Sequence, residues 1–425
     1  MNFDIIDKIV MFGYSTQNYI LWYFVMFVLK KVFCRIFQTV FKIALPFLPY
    51  RKPVIIDSVE DIPQVLNKEK SDSVLLITDS GIRKLGLTNH LESVLKTAGI
   101  KLTIYDKTVA NPTTANIEEA AELYRQNKCN GIIGFGGGSS MDCAKATGVK
   151  IVRPHTPLGK MKGILKVRKR LPLLIAVPTT AGTGSETTLA AVIKDAETKY
   201  KYAINDFPLI PRYAVLEPEI TLSLPPFITA TTGLDALTHA VEAYIGNSTT
   251  YDTRMEALLA VRLIFDNLVK VYKDGSLKEA RRDMLKASFY AGCAFTKSYV
   301  GYVHAVAHTL GGEYNTPHGL ANAVLLPFVL ESYGRAAHKK LARLAVHVGL
   351  ASKETPEEEA AKAFIQAIKD MKAQMSIGDT IADIKEEDIP RLAKLADKEA
   401  NPLYPVPVLM NAKELEKFYF AVMGK

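Results

Sequence analysis

Hydrophobic and polar positions divide the chain into three stretches of different rhythm. The first opens without charge: nothing ionisable as Asp, Glu, Lys or Arg occurs from Ile9 to Leu29, and Tyr19 to Leu29 reads YILWYFVMFVL. Lys30 and Lys31 follow at once. Val32, Phe33, Ile36, Phe37, Val40, Phe41 and Ala44 then recur at helical spacing, with Lys31, Arg35, Gln38 and Lys42 on the other side. This predicts a basic amphipathic helix that docks on the protein's own core, on another subunit or on a membrane surface. The uncharged run is just long enough to cross a bilayer core of about 30 Å. Against a span, Ser15 to Asn18 (STQN) sets polar groups in its middle, and no A-x-A-like cleavage site follows. Pro46, Pro49 and Pro53 close this appendage at residues 1–50.

The second stretch, residues 51–227, alternates short apolar runs with helical periodicity. SVLLITD (Ser73 to Asp79), KLTIYD (Lys101 to Asp106), GIIGF (Gly131 to Phe135) and PLLIAVPTT (Pro172 to Thr180) read as strands. Helical patterns lie between them, at about Lys84 to Ala98, at Ile117 to Asn127, and after Gly138. Strands alternating with helices imply an α/β domain with a mostly parallel sheet covered on both faces. After LPP (Leu224 to Pro226) strand-like runs almost vanish, and residues 228–425 read as an all-helical domain. No repeat or low-complexity segment interrupts them.

At 425 residues the chain exceeds one ordinary core. A net charge of +9 would suit acidic partners, a phosphorylated cofactor or an anionic membrane. The basic residues are dispersed and carry no nucleic-acid fold signature, so nucleic acid is not an expected partner. The densest basic run, Lys160 to Arg170, reads as a solvated face. Cys34, Cys129, Cys143 and Cys293 form no CxxC pair, which points to reduced thiols and a cytoplasmic chain, membrane-associated if its first segment docks on lipid.

Two loops carry candidate binding chemistry. GFGGGSSMDCAK, from Gly134, joins a strand to a helix. Its glycines allow close backbone approach, and a helix start favours phosphate. It is not a GxGxxG match, so a standard dinucleotide fingerprint is absent. VPTTAGTGSETT, from Val177 to Thr188, offers hydroxyls and unshielded amides but lacks the lysine of a Walker loop. In the helical stretch, Asp235 and His239 in GLDALTHAVEAY share a helix face, as do His304 and His308, and His318 follows a glycine-containing turn. One carboxylate with three imidazoles is a plausible shell for Fe²⁺ or Zn²⁺, although spacing alone does not say which four ligate.

These loops, with GLDALTHAVEAY and VHAVAHTLGGEYNTPHGLANAVLLP, resemble in order and spacing the iron-containing (group III) alcohol dehydrogenase family, over residues 52–425. The resemblance implies a Rossmann-like dinucleotide-binding domain and a helical domain of dehydroquinate synthase-like architecture, with the metal in the cleft. By position, Asp235, His239, His304 and His318 would be metal ligands, and His308 would sit beside them as the catalytic proton relay. Gly137, Gly138, Ser139 and Asp142 would border the pyrophosphate. Thr179, Thr180, Thr183, Val192 and Lys201 would line the adenosine and ribose side, and Asn111 another cofactor position. Asp79 would meet the adenosine ribose, and its carboxylate would favour NAD over NADP by repelling a 2′-phosphate.

The implied function is metal-dependent hydride transfer between NAD(H) and a primary alcohol/aldehyde pair, with Fe²⁺ (or Zn²⁺) polarising the substrate oxygen, in a homodimer or larger assembly. The alternatives are a polyol or glycerol-phosphate dehydrogenase of the same fold using zinc, a sugar-phosphate cyclase such as dehydroquinate synthase, or a membrane-attached scaffold. Two departures stand out: the apolar appendage lies outside the family core, and Glu313 lies in the expected turn before His318 where an apolar residue is more usual.

Overall fold

A computed structural model describes residues 16–198 and 200–424, with side chains described from residue 28 onward. Part of the expected uncharged run, residues 9–15, therefore lies outside the described residues. From Thr16 the chain forms one continuous helix, α1 (Thr16–Ala44), with no break at Lys30. Among the described residues no helix is long and apolar enough to cross a membrane.

Six parallel strands form the main sheet: β1 (Val54–Ile56), β2 (Ser73–Ile77), β3 (Lys101–Tyr105), β4 (Gly131–Gly136), β6 (Leu173–Pro178) and β9 (Tyr213–Val215), in the spatial order β1-β9-β6-β4-β2-β3. Successive strand side chains point to opposite faces. Leu75, Ile77, Ile132 and Leu174 pack with Ile117, Ala120 and Tyr124 of α5 (Thr114–Gln126) and Ala144 and Val149 of α6 (Gly138–Val152). Val74, Leu76, Ile133 and Ile175 pack on the other face with Ile62 and Leu66 of α2 (Ile62–Lys68), and with Leu91 and Leu95 of α4 (Asn89–Thr97).

The helix expected over 84–98 is two, α3 (Ser80–Lys84) and α4, because Gly86 turns left-handed between them at φ +70°. Helix α5 begins earlier than expected, since Thr113 and Asn116 close a reciprocal capping box. A small sheet was not anticipated. β5 (Gly163–Ile164) pairs parallel with β8 (Lys201–Asn205), which pairs antiparallel with β7 (Ala190–Lys194).

The chain leaves β2 for β3 on one side and returns to β4 on the other. The crevice between the carboxyl ends of β2 and β4 is thus the switch point, where α/β sheets take ligands.

The remaining elements are helical. α7 (Pro226–Ile245) starts on Pro226, whose missing N–H would be an orphan donor at that position in any case. α8 (Tyr251–Lys273), α9 (Lys278–Ser298), α10 (Tyr302–Tyr314) and α11 (His318–Ser332) follow, then α12 (Arg335–His347), α13 (Glu357–Gln374), α14 (Ile389–Ala400) and α15 (Ala412–Val422). They share one continuous apolar core. Glu313 lies in the last turn of α10 rather than in a turn, and pairs with Arg391 at 2.8 Å.

Candidate metal and cofactor site

Helices α7, α10 and α11 bring four distant residues together. Asp235 and His239 lie one turn apart on α7, His304 lies on α10, and His318 opens α11. One ligand atom from each falls within 4.8 Å of all the others. The Nε2 atoms of His304 and His318 stand 3.8 and 3.5 Å from Asp235 Oδ1. Asp235, His239 and His304 are buried, while the His318 ring reaches the cleft with 40% of its side chain exposed.

Desolvation holds the imidazoles of His239 and His304 below their ordinary pKa, and the neighbouring imidazoles push His304 further. His318 is lowered to about 4, through desolvation first. Neutral imidazole is the form that ligates.

The donor set fits a cation. Asn322 Nδ2 sits between the ligand atoms, 2.6 Å from Asp235 Oδ1 and 3.1 Å from each of the His304 and His318 Nε2 atoms. An amide with two hydrogens cannot satisfy three acceptors, whereas a divalent ion accepts all of their lone pairs. Three nitrogens and one oxygen suit Fe²⁺ or Zn²⁺.

Behind His304, Glu242 Oε2 lies 2.7 Å from Nδ1, which leaves Nε2 for the cluster. The N–H groups of Gly301 and Val303 also donate to Glu242, whose pKa burial raises to about 7. Glu242 and Asn322 were not singled out by sequence reasoning. Each had a usable signal: Glu242 is one helical turn beyond His239 and Asn322 one turn beyond His318.

His308 lies on α10 one turn past His304, its ring stacked on His318 at 5.2 Å between centroids. Its Nδ1 is 2.6 Å from Glu399 Oε1, which also accepts from the Tyr404 hydroxyl at 2.7 Å. Glu399 was unforeseen; it is ninety-one positions away, and no local pattern marks it.

The glycine loops meet this cluster from the sheet side. Gly136 is at φ +150°, and a Cβ there would lie 2.5 Å from Ser140 Oγ. Gly137 caps α6, and a Cβ on Gly138 would lie 3.3 Å from Thr183 Cγ2, so the two loops are in contact. Thr179 N donates to Gly136 O at 3.1 Å, and Ser139 Oγ accepts from Asn111 N, where Asn111 is left-handed at φ +56°. Thr180 lines the same junction, its Oγ1 3.8 Å from the position of a Gly137 Cβ.

Asp142 faces the second loop. It accepts from Ser185 Oγ and from Val192 N, both at 3.0 Å, and burial raises its pKa. Lys145, lowered to about 8 by burial, braces the same loop through Ser185, Thr188 and Ala190 O. Asp79 Oδ1 accepts from Gly81 N and Ile82 N as the cap of α3, and its Oδ2 lies 3.4 Å from Ser140 Oγ. Lys201 opens β8, its charge opposing that of His308 and His318 and attracted to Asp142 and Glu399.

The second loop is also seated on the helical domain. A Cβ on Gly182 would lie 2.7 Å from Thr232 O of α7, and one on Gly184 only 2.8 Å from Gly292 Cα of α9. The loop that meets Gly138 therefore touches the helix that carries Asp235 and His239.

A switch-point crevice in a parallel sheet, beside a carboxylate–imidazole cluster on helices, marks an α/β domain joined to a helical domain with a candidate metal site. Residues 54–218 match the family model for iron-containing alcohol dehydrogenase, and residues 229–423 match that for the C-terminal part of the Fe-containing alcohol dehydrogenase family. Alcohol dehydrogenase 4 of Saccharomyces cerevisiae (strain YJM789) is 38% identical over 347 residues, covering 81% of this chain and 89% of the yeast protein. A solved 1,3-propanediol oxidoreductase superposes with a TM-score of 0.83 at 35% identity, covering 88% of this chain and 98% of that one. A sulfoacetaldehyde reductase from Bifidobacterium kashiwanohense, solved in complex with NAD⁺, gives 0.78 at 27% identity, covering 88% and 98%. The chain belongs to the iron-containing alcohol dehydrogenase family. It is an oxidoreductase of that family, which uses NAD(H) and a divalent metal.

Proposed function

We propose that the protein transfers hydride between NAD(H) and a small primary alcohol/aldehyde pair. Asp235, His239, His304 and His318 would hold Fe²⁺, with Zn²⁺ as the ion sharing these preferences. The observation that carries this reading is the convergence of their four ligand atoms within 4.8 Å beside the glycine loops. When bound, the metal supplies Lewis-acid polarisation of the substrate oxygen and the cofactor supplies the hydride chemistry.

The chain's own residues do the rest. Glu242 fixes the His304 ring and its tautomer through Nδ1. With Nδ1 tied to Glu399, His308 has Nε2 left to take the proton of an alcohol, or to return it to an aldehyde. Gly137, Gly138 and Ser139 leave backbone amides open at the start of α6 for the pyrophosphate. Thr179, Thr180 and Thr183, with Asn111, Val192 and Lys201, would surround the remaining cofactor. Asp142 serves by bracing Val192 and Ser185 rather than by touching phosphate, which its charge would repel. The Asp79 carboxylate supports NAD over NADP on the same ground.

The division at residue 227, a homodimer or larger assembly, and a cytoplasmic location belong to this proposal. The last is supported by four cysteines that are all buried and free. Metal analysis of purified protein, with NAD-linked turnover of primary alcohols, tests the whole. Wild type should carry one divalent ion per chain and oxidise alcohol, and His304→Ala should lose both. A metal-free His304→Ala protein with full activity would falsify the scheme.

A further inference from the structure

Helix α1 sits on the protein with most of its apolar face turned outward. A surface helix ordinarily buries its apolar stripe and wets its polar side. Here the docked side mixes polar groups with Cys34, which joins the helical core, and Phe41, whose ring tilts on Tyr299 at 5.0 Å between centroids. Lys30 Nζ pairs with Asp397 at 2.8 Å, and Arg35 donates to Val406 O and Pro407 O at 2.8 and 2.9 Å. Gln38, only 3% exposed, donates to Pro402 O and Tyr404 O, and its own carbonyl accepts from Ser248 Oγ at 3.0 Å. The outward side carries Val32, Ile36, Val40 and Ile43 at 50%, 58%, 62% and 66% exposure, flanked by Leu29 and Phe33. At 100° per residue these six span about 100°, and Val28 and Phe37, also exposed, widen the arc to about half the circumference.

We propose that this face of α1 lies in the interfacial layer of a lipid bilayer, with the helix axis along the membrane plane. Three observations choose lipid over a second copy of the chain. A helix pairing with its twin buries a narrow stripe of positions, whereas this apolar arc is about twice as wide as such a seam. The same helix runs N-terminally through Tyr19 to Leu29, a segment of apolar and aromatic residues that includes Trp22 and Tyr23, residue types favoured at the headgroup level. The exposed Lys42 borders the arc, and the net charge of +9 complements anionic headgroups. Ion pair and carbonyl bonds on the docked side fix the helix to the enzyme, so the apolar side is held outward.

Vesicle flotation of the full chain tests this, using phosphatidylcholine vesicles with and without phosphatidylserine. Wild type should float with both and more strongly with phosphatidylserine. The double substitution Ile36→Asp/Val40→Asp should weaken partitioning at least about tenfold, while leaving thermal stability and alcohol turnover unchanged because neither side chain is buried in the fold. Equal binding of wild type and double variant to phosphatidylserine vesicles would overturn insertion in favour of simple charge attraction. Absence of wild-type binding to both vesicles would overturn the proposal outright. In that case, a self-associated wild type that the double substitution dissociates would assign the face to a second copy.

Discussion

Glu242 and Asn322 support the four clustered side chains from behind and from between. Glu242→Gln should leave the fold intact and weaken metal affinity about 10–100-fold, measured by competition with a chelator. His308→Ala should keep the metal and lose about 10²–10⁴-fold in turnover. Burial pulls the His308 pKa down, but the charge and hydrogen bond of Glu399 outweigh it, and the net shift is upward from 6.5. Burial likewise pushes Glu399 up, yet His308 prevails and the net shift is downward from 4.5. A raised His308 stabilises the fold below its ordinary pKa and loses that contribution as pH rises through the raised value. A lowered Glu399 contributes above its ordinary pKa and loses it as pH falls through the lowered value. The pair therefore stabilises most between those limits. On the proposed role, alcohol oxidation needs neutral His308, so its acidic limb should move to lower pH in Glu399→Gln; a pH–rate profile reads the shift. Asp235 and His239 were legible as a pair one helical turn apart, whereas the choice among His304, His308 and His318 was implied only by the resemblance. Glu399 was not, since only tertiary packing of α10 against α14 brings it to the imidazole.

At the scale of elements, the strands that bury both faces were readable as unbroken apolar runs, as β2 and β4 show. The edge strand β1 and its neighbour β9 hold three residues each and β5 only two, too few for a pattern, while β7 and β8 alternate in burial with little contrast between apolar and polar residue types in AAVIK and KYAIN. Yet β7 and β8 supply Val192 and Lys201, whose placement only the resemblance implied. The second glycine loop depends on one interlock: Gly184, at φ +59°, against the backbone of Gly292. Gly184→Val adds a β-branched side chain at a left-handed position and drives it into α9. A loss of at least about 1–3 kcal/mol in unfolding free energy is expected, with weaker NAD binding, measured by denaturant titration and cofactor fluorescence. A valine tolerated in both would contradict the seating of this loop on the helical domain.

For the whole molecule, the change from alternating to purely helical rhythm near Pro226 was visible in sequence, because the sheet and the helices need different periodicities. How the two halves face one another was not visible, since it rests on glycines whose missing side chains admit Thr232 and Gly292. The cluster belongs to the folded state alone, so added Fe²⁺ or Zn²⁺ should raise the melting temperature. At one hundred times the dissociation constant the gain is about 2.7 kcal/mol. A melting temperature indifferent to metal would mean that the four side chains bind no ion. The orientation of α1 was the least legible feature: amphipathicity was plain, but which side docks depends on the carbonyls of Pro402, Tyr404, Val406 and Pro407 that receive Arg35 and Gln38. That strip of chain begins next to Asp397 and Glu399, so one short segment is gripped by the leading helix on one side and by the His308 imidazole on the other. Shortening the protein ahead of Tyr50 to ease its handling would leave the carbonyls of Pro402 and Pro407 to water, strip one donor each from those of Tyr404 and Val406, and release one end of this tether. The trimmed enzyme would then report a proton affinity for His308 that the intact one does not have.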